Sequence, residues 1–356
     1  MIALWAGGSM QALVRLSRKR QDTHLQEVPQ PRPKPGQVLV AVEAAGVCGS
    51  DLEIHDVDLA PDARVQPPVV LGHEGAGRVA ALGDGVCGLE LGQPVVAETT
   101  YSVCGHCQFC QRGELNLCPE RKGLGSAVAG FFARYAAVPR ERVHPLPRGI
   151  STLVGAITEP LACAVHAVLE RAQLRRDETV VVFGPGTMGL MTTLVCSAIG
   201  AQSLLVGTSH SQHRLEFAER WGLGDTFDVH ASGFPNLLRT RLGSGADAVF
   251  ECTGQVAALE AGLNLLRPGG RLVVLGEVAD PLRLDTQHTL LRKELVLTGS
   301  KSSIPSSWVT ALELLPRVGH IMEAMISHCL PLSNWQEAFQ VAKSREGLKV
   351  VLVPQG

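Results

Sequence analysis

Val180-Val181-Val182-Phe183-Gly184-Pro185-Gly186-Thr187-Met188-Gly189 is the stretch that decides how this chain is read. Four consecutive apolar residues, three of them β-branched, predict a strand buried on both faces. They run directly into G-x-G-x-x-G, and Thr187 to Ile199 continues with helical texture. A lone glycine pattern is a weak signal, but between a buried strand and a helix it predicts a dinucleotide cradle. Gly184 would permit the tight turn, Gly186 the approach of backbone to a pyrophosphate, and Gly189 close packing of the helix. Thr187 and Met188 would open that helix, whose N-terminus attracts phosphate.

Outward from this motif the alternation repeats. Ser203 to Val206 reads as a second strand, His213 to Trp221 as a helix, and Ala248 to Phe250 as a third strand. Val256 to Leu266 reads as a helix and Arg271 to Leu275 as another strand. Such a series predicts parallel βαβ units and so an α/β, doubly wound sheet. From Gln11 to about Leu146 the texture differs: short runs such as Val38 to Val42 stand between glycine- and proline-rich punctuation, as in a β-rich, barrel-like domain. The tail carries a helix at Ser307 to Leu314 and a strand at Lys349 to Val353 that can return to the first domain. The expected layout is a β-rich domain over 1–160 and 300–356 around a dinucleotide-binding domain over 161–299.

The 356 residues are 45% apolar, with 32 basic against 34 acidic residues and only 4% aromatics. That balance argues against nucleic acid as a partner. No run of 18 apolar residues occurs, so no membrane span is expected. Met1 to Ser9 lacks the basic flank and long apolar core of a secretory signal and reads as a dispensable lead before Met10. The expected compartment is therefore the cytoplasm, where ten cysteines read as thiols and metal ligands rather than disulfides. Cys104, Cys107, Cys110 and Cys118 crowd one lobe, residues 101–119, that has little apolar content. Four thiolates there can close a tetrahedral shell around a structural zinc, with metal bonds standing in for a core. His106, inside the cluster, is left as a solvated loop residue.

Further motifs stand in order along the chain: Gly46-Val47-Cys48-Gly49-Ser50-Asp51, Gly72-His73-Glu74 followed by Gly77 and Gly83, and Glu159-Pro160-Leu161-Ala162. With the cysteine lobe and the glycine turn, they make the chain resemble the zinc-dependent medium-chain dehydrogenases/reductases from Met10 onward. The pattern is most similar to the sorbitol and threonine dehydrogenase branch, because Glu159 stands where the alcohol dehydrogenase branch has a cysteine. The resemblance implies a GroES-like catalytic domain in two segments around a Rossmann domain, and a homotetramer or homodimer. It implies two Zn2+ ions per chain, one in the lobe and one catalytic. The catalytic ion would be held by Cys48 and His73, with Glu74 and Glu159 binding directly or through water. Thiolate, imidazole and carboxylate then leave an open position for a substrate oxygen.

The implied reaction is reversible hydride transfer between a small-molecule secondary alcohol (polyol, cyclitol, diol or hydroxy-amino acid) and NAD(P), giving the ketone. Ser50 matches the residue that takes the hydroxyl proton. Three positions on, many relatives carry a histidine; here stands Glu53, and His55, two positions further, either substitutes or is aimed at water by strand alternation or a turn. Alignment on Arg214-Leu215 puts Ser209 where NAD-selective relatives carry an acid for the ribose hydroxyls. No carboxylate lies from Ser203 to Leu215, so nothing repels a 2′-phosphate, while Ser209, His210 and Arg214 offer donors. NADP(H) is accordingly expected over NAD(H). Thr253 belongs to a later turn, Glu251 to Gly254, of the nucleotide domain. Cys87, Cys196, Cys252 and Cys329 read as small buried apolar residues. Pocket shape is expected to come from the neighbourhoods of Asp51 to Ala60, Leu124 to Phe132 and Lys301 to Pro305. The rival reading, a zinc-free quinone or enoyl reductase of the same fold, would lack both the lobe and the Cys48/His73 pair.

Overall fold

The structure, a computed structural model, describes residues 8–354. Of the expected lead, residues 1–7 lie outside the described residues, and Ser9 already begins a strand, Ser9–Arg15. The chain divides into two compact units, one running up to Glu159 and resuming at Gly319, the other Pro160–Val318. The second border falls at Gly319, inside a helix, and not near residue 300.

In the second unit, six strands form one sheet in the order Asp225–Asp228, Gln202–Gly207, Thr179–Phe183, Ala246–Glu251, Leu266–Val274 and Val296–Gly299. Every neighbouring pair is parallel. The first strand in sequence sits at the centre and the order reverses beside it, which is the doubly wound arrangement with its switch point next to the glycine turn. The motif strand Thr179–Phe183 is buried beyond its first residue. Its Val181 and Phe183 pack with Leu204, Val206, Val249 and Leu272 into one core. Helix Thr187–Ile199 ends at Gly200 in the left-handed conformation, φ 86°, the usual glycine stop.

The first unit is built around one long strand, Gln37–Gly46, which pairs antiparallel with Glu74–Leu82, with Tyr135–Pro139 and, at its end, with Lys349–Val353. The strands approach closely at Gly77, where a Cβ would lie 1.9 Å from the Ala41 carbonyl oxygen, so only glycine fits. The last strand does return to this unit, as its apolar Val350-Val351-Leu352 run requires: all three are buried.

Three elements depart from the expectation. The segment after Cys48 is a helix, Gly49–Asp56, not strand or turn. The tail helix is Pro305–Met325 and runs through Pro316, where the sequence reading stopped two residues short of the proline. A further strand and helix, Ile326–Pro331 and Trp335–Ser344, fill the remainder of the tail. Trp335 and Phe339 from that helix are buried in the core of the first unit. Among the described residues, no helix is long and apolar enough to cross a membrane.

Candidate active site

Among the described residues, two metal-type clusters bring predicted ligands together, both in the first unit. In the lobe, the sulfurs of Cys104, Cys107, Cys110 and Cys118 converge. Neighbouring Sγ atoms are 3.5 Å (Cys107–Cys110), 3.7 Å (Cys118–Cys104) and 3.8 Å (Cys104–Cys110) apart. A tetrahedron with Zn–S bonds of about 2.3 Å has edges of about 3.8 Å, so the four thiols already outline the shell that zinc requires. The chain supports them with backbone donors: Cys107 N–H reaches Cys104 Sγ at 3.4 Å and Cys104 N–H reaches Cys118 Sγ at 3.5 Å. Backbone N–H groups of His106 and Cys107 hold the Cys104 thiol down to about 6, primed for the thiolate form a metal takes. His106 stays exposed, its ring turned to the Cys104 carbonyl at 3.0 Å.

The second cluster joins residues far apart in sequence. Donor atoms of Cys48, His73 and Glu74 lie within 4.8 Å of one another. Cys48 caps the N-terminus of helix Gly49–Asp56, and Asp51, at the third helical position, reaches back so that its Oδ2 accepts from Cys48 N at 3.0 Å. The same fully buried carboxylate faces His73 Nδ1 at 3.5 Å. One residue thus fixes both segments and leaves Nε2 as the nitrogen for a metal, a usual second-layer arrangement. Burial opposes a charge on His73, but Asp51 and then Cys48 outweigh it and raise its pKa well above the ordinary value. A metal bound there would have to displace a proton.

Glu74 opens strand Glu74–Leu82 and is 1% exposed. Its seat exists because residue 46 is glycine: a Cβ there would lie 2.0 Å from Glu74 Oε2. Glu159, named with these residues from the sequence, stands outside the converging trio; its Oε1 accepts from the Thr99 hydroxyl at 2.9 Å. It remains close enough to bear on the charge of Glu74. Sequence reasoning missed Lys349, whose ammonium is buried 2.7 Å from the Glu74 carboxylate.

Ser50 and Glu53 sit one turn apart on helix Gly49–Asp56 and so share a face, with Glu53 exposed. His55 does not join them. Its ring packs edge-on against Trp335 at 5.4 Å and Phe339 at 5.7 Å, and burial pulls its pKa down. Its ring is committed to packing on that tail helix, which speaks against a role in the proton path. Leu124, Phe131 and Phe132 are likewise core residues, each 1% exposed or less. Phe132 fills the space beside Gly72, where a Cβ would meet its ring at 2.6 Å.

In the second unit the three motif glycines have three different surroundings. Gly184 has φ 95°, and a Cβ there would meet Thr253 Cγ2 at 2.6 Å. A Cβ on Gly189 would lie 1.8 Å from the Gly184 carbonyl oxygen. At Gly186 the nearest atom is Arg214 Nη1 at 4.0 Å, so its face of the turn is open. Thr187 and Met188, half-buried, begin the helix there. Arg214 lies beneath the turn, donating to the Pro185 carbonyl at 3.4 Å, while Ser209 and His210 are exposed after the second strand. Thr253 N–H and hydroxyl both bond to Glu251 Oε1, as does Gly254 N–H at 2.9 Å. Of the four cysteines read as buried, Cys196 is buried and Cys252 half-buried, but Cys87 and Cys329 are exposed. Those two sit on turn and edge backbone that isolated apolar character could not distinguish from core.

Two family models match the chain: the alcohol dehydrogenase GroES-like domain over residues 34–148 and the zinc-binding dehydrogenase over 187–317. A sorbitol dehydrogenase of Halalkalibacterium halodurans is 37% identical over 97% of this chain and 99% of its own length. An L-threonine 3-dehydrogenase of Bacillus velezensis is 33% identical over 98% of this chain and 100% of its own. Among solved structures, a zinc-binding dehydrogenase of Sinorhizobium meliloti bound to NADP superposes with a TM-score of 0.86. It is 27% identical and covers 98% of this chain and 100% of its own.

Proposed function

The chain belongs to the zinc-binding dehydrogenases of the alcohol dehydrogenase family and is an oxidoreductase, and from that premise we propose that it interconverts a secondary alcohol of the polyol, cyclitol, diol or hydroxy-amino-acid type and its ketone, with NADP(H) preferred. The observation that carries this reading is the convergence of Cys48, His73 and Glu74 from separate segments onto one buried point, with Asp51 fixing two of them. That donor set, one sulfur, one nitrogen and one carboxylate, suits a zinc with a position left for substrate. Cys48, His73 and Glu74 would hold the ion, with Glu159 behind them, and the four lobe cysteines would hold a second. Bound there, zinc would polarise the alcohol oxygen, and the nicotinamide would accept the hydride.

The chain's own residues supply the rest. Ser50, in the first turn of its helix, takes the hydroxyl proton and Glu53, one turn on and exposed, delivers it to water. The open face at Gly186 admits a pyrophosphate against the helix N-terminus. Ser209 and His210, exposed after the second strand, would offer donors to a 2′-phosphate, and Arg214 supports the turn from beneath while adding positive charge.

A panel of polyols, cyclitols, diols and amino alcohols, followed by absorbance of reduced cofactor, identifies the substrate class. Metal analysis should find two zincs per chain, and Cys48→Ser should abolish turnover while cofactor still binds. Activity in a zinc-depleted sample, or a higher kcat/KM with NAD than with NADP, would overturn the corresponding part of the proposal.

A further inference from the structure

We propose that Cys104, His106 and Glu120 form an exposed handover site through which zinc enters and leaves the four-thiol shell of the lobe; this rests on reading Cys104, Cys107, Cys110 and Cys118 as the structural zinc site. One donor atom from each of the three residues lies within 4.8 Å of the other two. His106 and Glu120 are exposed, Cys104 is half-buried and Cys118 is 2% exposed. The two donor sets therefore run from solvent to core and share one sulfur. The backbone builds the outer set from both ends of the loop. Gly105, at φ 79°, reverses the chain between Cys104 and His106, a conformation that residues with a side chain rarely adopt. The imidazole folds back so that Nδ1–H donates to the Cys104 carbonyl at 3.0 Å, which leaves the Nε2 lone pair for a metal. The Gln111 side chain steadies this turn by donating to the His106 carbonyl at 3.3 Å. Glu120 arrives from the other end, where Cys104 N–H reaches Cys118 Sγ at 3.5 Å and Arg121 N–H donates to the Cys118 carbonyl at 3.1 Å.

The two sets hold an ion with different strength. Thiolate, carboxylate and neutral imidazole balance the charge of zinc and leave a position for water, whereas four thiolates close the shell with an excess of negative charge. Sulfur is the softer donor and the better match to zinc, so the outer trio is the weaker site and cannot keep an ion that the inner sulfurs reach. Its value lies in access. A metal site needs an entry path, and a hydrated ion must first meet donors that extend into water. His106 and Glu120 do so. Cys104 Sγ lies 3.7 Å from Cys118 Sγ and 3.8 Å from Cys110 Sγ, one edge of the finished tetrahedron. An ion caught on Cys104 is thus already beside the inner shell. The exchange conserves ligand number. Cys107, Cys110 and Cys118 each bind as thiolate and give a proton to water, while the imidazole, the carboxylate and the last water depart. Release follows the same steps in reverse, so the trio sets the speed of exchange in both directions and leaves the equilibrium unchanged.

The test uses the full-length, zinc-loaded protein and the variant His106→Ala/Glu120→Gln, whose exposed positions leave the fold undisturbed. Zinc release to a chromogenic chelator and uptake of an enriched zinc isotope, read by mass spectrometry, are followed in each. Cys48→Ser identifies the phase that belongs to the other centre. The double variant should release and take up the lobe zinc about tenfold more slowly in both directions. Its zinc content, zinc affinity and melting temperature should match those of the parent. Glu114→Gln, which removes an acid of the same lobe outside the donor set, should exchange zinc at the parent rate. Parent-like exchange in the double variant overturns the inference, as does equal slowing by Glu114→Gln, which would leave only a general field. Lost zinc content or affinity in the double variant overturns it too, since the residues would then support the shell itself, and so does a third zinc resident in the parent. A parent protein with no zinc dependent on Cys107 overturns instead the reading on which the inference rests.

Discussion

Alanine at Gly186 and alanine at Gly189, three residues apart, should fail in opposite ways. At 189 the new methyl would start 1.8 Å from the Gly184 carbonyl oxygen, where ordinary contact begins at 3.4 Å. Helix and turn must separate by roughly 1.6 Å, overpacking of a kind that destabilises by about 1–3 kcal/mol. At about 2–4 °C per kcal/mol for a unit of this size, the melting temperature of the cofactor-free protein should fall by about 2–12 °C. At 186 the nearest atom is 4.0 Å away, and φ is -68°, which any residue adopts. Only the mild preference of glycine over alanine at an N-cap is lost, below about 1 kcal/mol. The methyl nevertheless projects into the space where a pyrophosphate must meet backbone, so NADPH affinity should fall at least about tenfold, about 1.4 kcal/mol. Differential scanning fluorimetry without cofactor and NADPH fluorescence titration separate the two effects. Unchanged NADPH affinity in Gly186→Ala, or a cofactor-free melting temperature lowered as much as in Gly189→Ala, refutes the assignment of the cradle to that open face.

Three further outcomes are expected. Cys107→Ser should lose one zinc per chain by elemental analysis and make the lobe a preferred site of limited proteolysis, because little apolar packing remains there to replace metal bonds; two zincs retained would sink the four-thiol site. Gly46→Ala should destabilise by about 3–5 kcal/mol in chemical denaturation, since its methyl evicts Glu74 from Lys349, whereas Gly49→Ala, with nothing within 4 Å, serves as the neutral control. Glu170 gives a pH signature. Burial raises its pKa, but His166, Ser306 and Ser307 bonded to its carboxylate more than reverse this, leaving the net shift downward. A depressed carboxyl pKa stabilises above the unfolded value of about 4.3 and is lost as pH falls through the folded one. The melting-temperature gap between the parent and Glu170→Gln should therefore be full at pH 7 and close below about pH 4; a gap independent of pH contradicts it.

What the sequence showed plainly was whatever depends on neighbours in the chain. Cys104, Cys107, Cys110 and Cys118 lie within one short loop, so their spacing alone points to one cluster, and their sulfurs do converge. Strand, glycine turn and helix from Thr179 to Ile199 are contiguous, and their periodicities change at the turn itself. The misreadings came where distant segments decide the environment. His55 looks like a relay residue two positions past Glu53, but a tail helix 280 residues on supplies Trp335 and Phe339 to cover it. Asp51 stands in the sequence only as the end of the Gly46 to Asp51 motif, and only the fold shows it holding Cys48 N and facing His73. Lys349 heads an otherwise apolar strand, where a lysine ordinarily marks a solvated end, and nothing local announces Glu74 beside it. Pro316 stops a sequence-based helix because it lacks a donor, yet Pro305–Met325 continues through it, its buried face carrying Trp308, Leu315, Val318 and Met322.

The strand Lys349–Val353 lies between Gln37–Gly46 and Ile326–Pro331 in the main sheet of the first unit. A ribosome must therefore pass residue 349 before the sheet begun around residue 40 can acquire its neighbour. Until then Glu74 lacks the Lys349 ammonium that lies 2.7 Å from its carboxylate. Any ion taken up by a nascent chain would meet that carboxylate before its buried partner is in place, and the order of synthesis becomes part of how the cluster matures.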